Sequence, residues 1–273
     1  SSFPDVCLGQ LSQFSQSTTL ANVNNAQITG FAWDFGNGNQ SNSLNPTQLY
    51  AQTGSYIVRL TVQTNQNCPM VVTDTVLVNP YPVIASINAN DVCLGNPSNF
   101  SQSSSVPNTN GSTINQYLWS FGNGNTSTNP GPAYTYPNAG SYNAQLMVTT
   151  NFGCTDTLQT NVLVNPNPLL SNLSLSNVCM GNATSLNAGI SIPNINGASI
   201  ASQTWDMGDG TQLSGSNLNH NYLNPGLFVV QGTISSNQGC ALQVTDTALV
   251  FPNPSASLAS ANTVCEETAT SFN

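Results

Sequence analysis

Charge is what this chain has least of. Its 273 residues include one basic side chain, Arg59, one histidine, His220, and ten acidic residues, so charged residues make up 4%. Ordinary soluble domains carry roughly a quarter. The net charge is −9. With no basic patch to set against it, nucleic acid and anionic membrane are excluded as partners. Long apolar runs are missing too, so no segment is expected to insert into a bilayer. No stretch has helical periodicity, which argues against a helical bundle. There is no CxxC pair and no recurring histidine, which leaves a structural zinc site without ligands. A serine or cysteine hydrolase needs a base beside its nucleophile, and a single histidine without a recurring partner does not supply one. We therefore expect no enzyme and no cofactor. The opening Ser1-Ser2-Phe3-Pro4 has neither the charged nor the apolar region of a signal peptide, so any leader is expected to have been removed or to lie outside this stretch.

What is present is repetition. Trp33-Asp34-Phe35-Gly36-Asn37-Gly38 returns as Trp119-Ser120-Phe121-Gly122-Asn123-Gly124 and as Trp205-Asp206-Met207-Gly208-Asp209-Gly210, each 86 residues after the last. A fixed period of this kind sets the architecture. Hydrophobic residues make up 38%, enough for a core in each repeat, and repeats of this length fold without metals. Asn, Ser, Thr and Gln cover the surface in place of charge.

Along repeat one, Val6-Cys7-Leu8-Gly9 and Phe14 read as a first strand. Phe31 to Phe35 alternates Trp33 and Phe35 onto one face, and Gly36-Asn37-Gly38 turns the chain. Asn45-Pro46 starts another turn, and Tyr50 follows. Gly54 to Val62 is the clearest strand, with Tyr56, Val58, Leu60 and Val62 inward and Ile57, Arg59 and Thr61 outward. Asn65 to Cys68 forms a hairpin turn before a closing strand over Thr73 to Val78. Repeat two follows the same plan, with Tyr136 and Tyr142 in place of Tyr50 and Tyr56; repeat three uses Tyr222 and Phe228. The predicted core motif is thus Trp33, Phe35 and Tyr56, then Trp119, Phe121 and Tyr142, then Trp205, Met207 and Phe228. Short strands broken by Gly, Pro and Asn turns predict an all-β fold of tandem sandwiches. The repeats are placed at residues 1–82, 83–168 and 169–254, with residues 255–273 opening a fourth that is cut short. The junctions, such as Val78-Asn79-Pro80-Tyr81-Pro82, place Pro at alternate positions. Such connections are stiff, so an elongated rod is expected.

The cysteines keep the same period. Cys7, Cys93, Cys179 and Cys265 form one series, and Cys68, Cys154 and Cys240 a second, offset by 61 residues. Two pairings are open. The favoured one joins Cys7–Cys68, Cys93–Cys154 and Cys179–Cys240, because the first strand and the turn between the last two strands are expected at the same end of a sandwich. Each bond would then stabilise its repeat by roughly 4 kcal/mol. The other joins Cys68–Cys93 and Cys154–Cys179 across neighbouring repeats. Cys265 is left to a partner outside the chain. Paired cysteines place the protein in an oxidising, extracytoplasmic compartment.

The Trp-x-Phe-Gly-(Asn/Asp)-Gly stretch, with its Asn-Pro turn, Tyr and Gly-Ser-Tyr strand, resembles the PKD (polycystic kidney disease) domain. The resemblance implies immunoglobulin-like β-sandwiches, three in tandem. His220 stands where members of the family often have histidine, although Gln48 and Tyr134 hold that place in the other repeats. The Val-Cys-x-Gly opening with a late cysteine resembles the arrays on giant surface proteins of Bacteroidetes, including gliding adhesins exported by type IX secretion. It implies a secreted, cell-surface stalk or filament serving adhesion or gliding motility. Its expected partners are neighbouring repeats of the same chain, surface polysaccharide or like chains. The alternative is a carbohydrate-binding or self-associating extracellular module. Within that resemblance, Asp74-Thr75, Asp156-Thr157 and Asp246-Thr247 match a short O-glycosylation signal, which makes Thr75, Thr157 and Thr247 acceptor candidates. Asp206 and Asp209 are the nearest approach to a calcium site. Two of three repeats lack the second charge, and a turn-capping role accounts for both residues.

Overall fold

The computed structural model describes residues 3–21 and 23–257. The expected fourth repeat, with Cys265, lies outside these residues except for its first positions. Every described element is a strand, turn or irregular segment, and no helix is long and apolar enough to cross a membrane. The chain forms three β-sandwiches in tandem. Residues 1–165 make one compact unit that holds repeats one and two, and a second unit from Pro166 holds repeat three.

Repeat two shows the plan most fully. Its larger sheet has five strands, in the order Thr126–Ser127, Ile114–Ser120, Gly140–Thr150, Thr155–Asn165 and Val92–Cys93. The facing sheet has three, Ala133–Thr135, Pro97–Ser105 and Val83–Ala89. Repeat three repeats this with Gln212–Ser214, Ile200–Asp206, Gly226–Ser236, Ala241–Phe251 and Val178–Cys179 facing Leu169–Leu175, Ala183–Ser191 and Asn217–Asn221. In repeat one the five strands are Gln40–Ser41, Ile28–Asp34, Gly54–Thr64, Met70–Asn79 and Val6–Cys7, facing a pair, Leu11–Gln13 and Thr47–Leu49.

Period-two alternation explains these strands residue by residue. Along Gly54–Thr64, Val58, Leu60 and Val62 are buried, while Ile57 and Arg59 are exposed. The same register recurs: Trp33 lies opposite Leu60, Trp119 opposite Leu146 and Trp205 opposite Gly232. In repeat three the glycine makes room for the indole, since a Cβ on Gly232 would come within 2.5 Å of Trp205. Each repeat has its own core, built around Trp33, Trp119 or Trp205.

The short first strand decides how repeats are joined. It pairs with the closing strand in parallel, Val6 opposite Val78 and Cys7 opposite Asn79. Cys93 likewise stands opposite Asn165, and Cys179 opposite Phe251. Each first-strand cysteine therefore sits at the far end of the closing strand, where the chain leaves the sandwich.

Candidate functional site: the joint between repeats one and two

The observed disulfide joins Cys7 to Cys154, across the two repeats, with a Cα–Cα distance of 5.8 Å and 147 residues between them. This corrects the favoured Cys7–Cys68, Cys93–Cys154 and Cys179–Cys240 pairing, and it equally overturns the Cys68–Cys93 and Cys154–Cys179 alternative. Cys68 and Cys179 are free thiols, and Cys93 and Cys240 are both disulfide-bonded. The physical reason is the parallel first strand. Cys68 precedes the ten-residue strand Met70–Asn79, and Cys7 stands at its other end. At roughly 3.3 Å per residue the two are about 35 Å apart, whereas a disulfide needs its Cα atoms within about 7 Å. The same argument separates Cys93 from Cys154 and Cys179 from Cys240.

Around this bond the repeats are fitted together by one amide. Asn110, in a loop of repeat two with φ of 57°, donates from Nδ2 to the carbonyls of Gly54 (3.2 Å) and Val78 (3.1 Å) and to Oδ1 of Asn79 (3.2 Å). These acceptors close the end of repeat one beside Cys7. Asn79 is buried, and a buried amide is costly unless hydrogen-bonded. Repeat two thus supplies the donor that repeat one's end carries an acceptor for. Cys7 and Cys154 are buried as well. Nothing in Asn110 by itself marked it for this role, although Asn24 and Asn196 stand one period to either side of it.

The core motif occupies the interior. Trp33, Phe35, Trp119, Phe121, Trp205 and Met207 are buried. Each indole Nε1 donates to a backbone carbonyl, Ser43 at 3.0 Å, Pro130 at 3.4 Å and Gly215 at 2.9 Å. Tyr56, Tyr142 and Phe228 are half-buried and lie against Tyr50, Tyr136 and Tyr222, with ring centroids 4.3, 4.2 and 4.0 Å apart. Those partner tyrosines donate to the carbonyls of Phe35 (3.2 Å), Phe121 (3.2 Å) and Met207 (2.8 Å), closing the sandwich corner. Burial pushes each of their phenols up to about 12.

The turn after each tryptophan is held by its own side chains. Asp34 accepts from Gly36 N–H and Asp206 from Gly208 N–H, both at 2.9 Å. Asn37, Asn123 and Asp209 accept from the amide two residues on. Asp209 also meets His220 Nε2 at 2.7 Å. Burial pushes its carboxyl up, but the bonds from His220 and Thr211 outweigh this and hold it below the ordinary value. In repeat two Tyr134 takes the place of His220: it stacks on Phe121 at 4.0 Å and receives hydrogen bonds from Asn123 and Asn125. Among the described residues, no three His, Cys, Asp or Glu side chains gather as metal ligands. Asp206 and Asp209 thus both act as turn caps.

Thr75, Thr157 and Thr247 are exposed on the outer face of closing strands. The aspartates before them face the other way: Asp74 accepts from Phe3 N–H and Asp156 from Ile84 N–H, both at 2.9 Å. A further cap escaped the sequence reading. Asp5, Asp91 and Asn177 accept from the amides of Leu77, Leu163 and Leu249 at 3.0, 2.8 and 3.1 Å. Its signal was there, as an Asp or Asn two residues before each first-strand cysteine.

Two facing sheets, a buried tryptophan on the larger one and a tyrosine bonded across the corner define immunoglobulin-like sandwich repeats. The chain belongs to the PKD domain family, which matches residues 4–78, 79–164 and 165–250. The pre-pro-metalloprotease PrtV of Vibrio cholerae is 49% identical over 57 residues, which is 20% of this chain and 6% of PrtV. The chain thus spans a small part of the curated relatives it matches. Among solved structures, the PKD1 domain of Vibrio cholerae PrtV is 36% identical and covers 31% of this chain and 96% of its own, with a TM-score of 0.27. The PKD1 domain of Vibrio anguillarum Epp is 22% identical and covers 33% and 99%, with a TM-score of 0.29. The three N-terminal domains of the bacteriophage RB49 outer capsid protein Hoc are 11% identical and cover 92% and 96%, with a TM-score of 0.43.

Proposed function

We propose that this chain is a non-catalytic structural segment, a stalk or filament, of a large secreted cell-surface protein that serves adhesion or gliding motility. The observation that carries this reading is the Cys7–Cys154 bond. It joins one repeat to the next rather than reinforcing either alone, as a stalk that must keep its direction requires. The Pro-rich junction and the Asn110 amide support the same reading. So does the scarcity of charge, which limits non-specific attachment along the shaft. The disulfide supports an extracellular place. The threonines Thr75, Thr157 and Thr247 offer exposed hydroxyls for O-glycosylation, to be sought by intact-mass analysis of protein from its native source.

Negative-stain imaging of the purified chain tests the shape. An elongated particle, one sandwich wide, is the expected result, and a compact particle would sink the stalk. A second reading is favoured by the Vibrio relatives: an accessory module within a secreted metalloprotease. It predicts a protease domain in the same open reading frame. The carbohydrate-binding alternative is tested by glycan-array binding of this chain alone. It draws no support from the core aromatics, which are buried or half-buried.

A further inference from the structure

Repeat three leaves open a sheet edge that the other repeats blunt. Its three-stranded sheet ends on Asn217–Asn221, and among the described residues no strand pairs with the outer side of that strand. The equivalent edges of repeats one and two, Thr47–Leu49 and Ala133–Thr135, are three residues long. Each begins directly after a proline, Pro46 or Pro132. Proline guards sheet edges because it has no N–H to offer a further strand. In repeat three that position is Leu218, which packs against the core, and the edge runs for five residues. We propose that this edge docks a second copy of the same chain, the two Asn217–Asn221 strands pairing antiparallel about a two-fold axis at Asn219. The pairing depends on repeat three alone and not on the role of the parent protein.

The register decides which groups face outward. In the neighbouring strand Ala183–Ser191, the main chain of Ser185 points away from the edge: its carbonyl accepts from Ser176 N–H at 3.0 Å, and its N–H donates to Ser176 Oγ at 2.8 Å. Ala188 N–H points toward the edge and donates to the Ser216 carbonyl at 2.9 Å. Main-chain groups alternate in direction along an antiparallel strand. Leu218 and His220, opposite Leu186 and Thr184, therefore bond inward. Asn217, Asn219 and Asn221 present their N–H and C=O groups to the open side. Their side chains are exposed. Leu218 is turned to the core, and His220 is held by Asp209 at 2.7 Å.

What this edge fits is itself. Read in either direction, the outward-facing set is Asn, Asn, Asn. Antiparallel pairing about Asn219 sets Asn219 against Asn219 and Asn217 against Asn221, and each such pair exchanges both of its main-chain bonds. The strand contains no Lys, Arg, Asp or Glu, so it lacks the charges that keep edges apart. The whole chain carries −9, and two copies repel least where they meet across a neutral strip. An edge this short makes a small interface, so the pair forms and dissociates with concentration.

Sedimentation velocity of the full chain over a dilution series tests this, in a Cys68→Ser, Cys179→Ser and Cys265→Ser background that prevents cross-linking through thiols. A dimer that dissociates on dilution is expected. Asn219→Pro removes the outward N–H at the centre of both strands and leaves the inward bonds in place. It should weaken the dimer roughly thirtyfold, the value of two net hydrogen bonds, with tryptophan fluorescence unchanged. Asn219→Lys and Asn219→Asp each set like charges face to face on the axis, so each should be monomeric alone. Mixed, they should give a one-to-one heterodimer, which decides the matter even if Asn219→Pro unfolds repeat three. A wild-type edge that stays monomeric up to the solubility limit overturns the proposal. So does a dimer indifferent to a folded Asn219→Pro. A mixture of the two charged variants that stays monomeric overturns it as well, because residue 219 would then not face its own copy.

Discussion

Tyr50, Tyr136 and Tyr222 each donate a hydroxyl proton to the carbonyl fifteen residues earlier. In the folded chain that carbonyl is buried, so removing the donor strands an acceptor. Tyr136→Phe should therefore cost about 1–2 kcal/mol, read as a lower midpoint in urea with an unchanged slope. The same phenols give a pH signature. Their pKa rises from 10.0 to about 12 on folding, so the fold favours the neutral form. That stability is fully present below pH 10 and is lost as the pH climbs through about 12. An ultraviolet titration should show three phenols ionising late, together with unfolding. Asp209 works in the opposite sense. Its lowered pKa adds stability above the ordinary carboxylate value of 3.8 that disappears as the pH falls below it, and Asp209→Asn should remove this loss from the acid unfolding of repeat three. The core residues were legible because alternation and period agree on them. The partners of Asn110 were not, because its acceptors belong to a different repeat.

At the scale of the element, the turn after each tryptophan leaves no freedom at its first glycine. Gly36, Gly122 and Gly208 have φ of 74°, 79° and 80°, and a Cβ on each would meet a backbone oxygen of the neighbouring strand at 2.5, 2.7 and 2.5 Å. Gly122→Ala combines left-handed strain with a backbone clash, and repeat two should lose roughly 1–3 kcal/mol or more, measured as a drop in melting temperature. Gly124→Ala has open space around its Cβ and should cost less, from its φ of 91° alone. The motif's spelling showed that a turn was needed. Only the approach of the next strand shows why the first glycine is the stricter of the two.

For the whole molecule, the question is what the Cys7–Cys154 bond holds. The repeats have separate cores, so reduction should leave both sandwiches folded while loosening the joint between them. Hydrogen exchange would report this as faster exchange of the amides around Asn79 and Asn110, with the strands around Trp33 and Trp119 still protected. Loss of the strand protection would mean that the bond stabilises the sandwiches themselves. Against the unfolded chain, a closed loop of this length is worth about 5 kcal/mol in the chain-entropy treatment.

The strands and aromatic cores of the three described repeats follow from the sequence alone, because alternation and turn chemistry are local and are stated three times. The tryptophan motif set the period, and the cysteines kept it. Their pairing was a different kind of fact. It depends on the end of the closing strand at which a two-residue first strand docks, and on which residues the next repeat brings to that end. Both are relations between distant segments. Spacing offered two pairings, and the tertiary structure chose a third, because only there do Cys7 and Cys154 come within bonding distance.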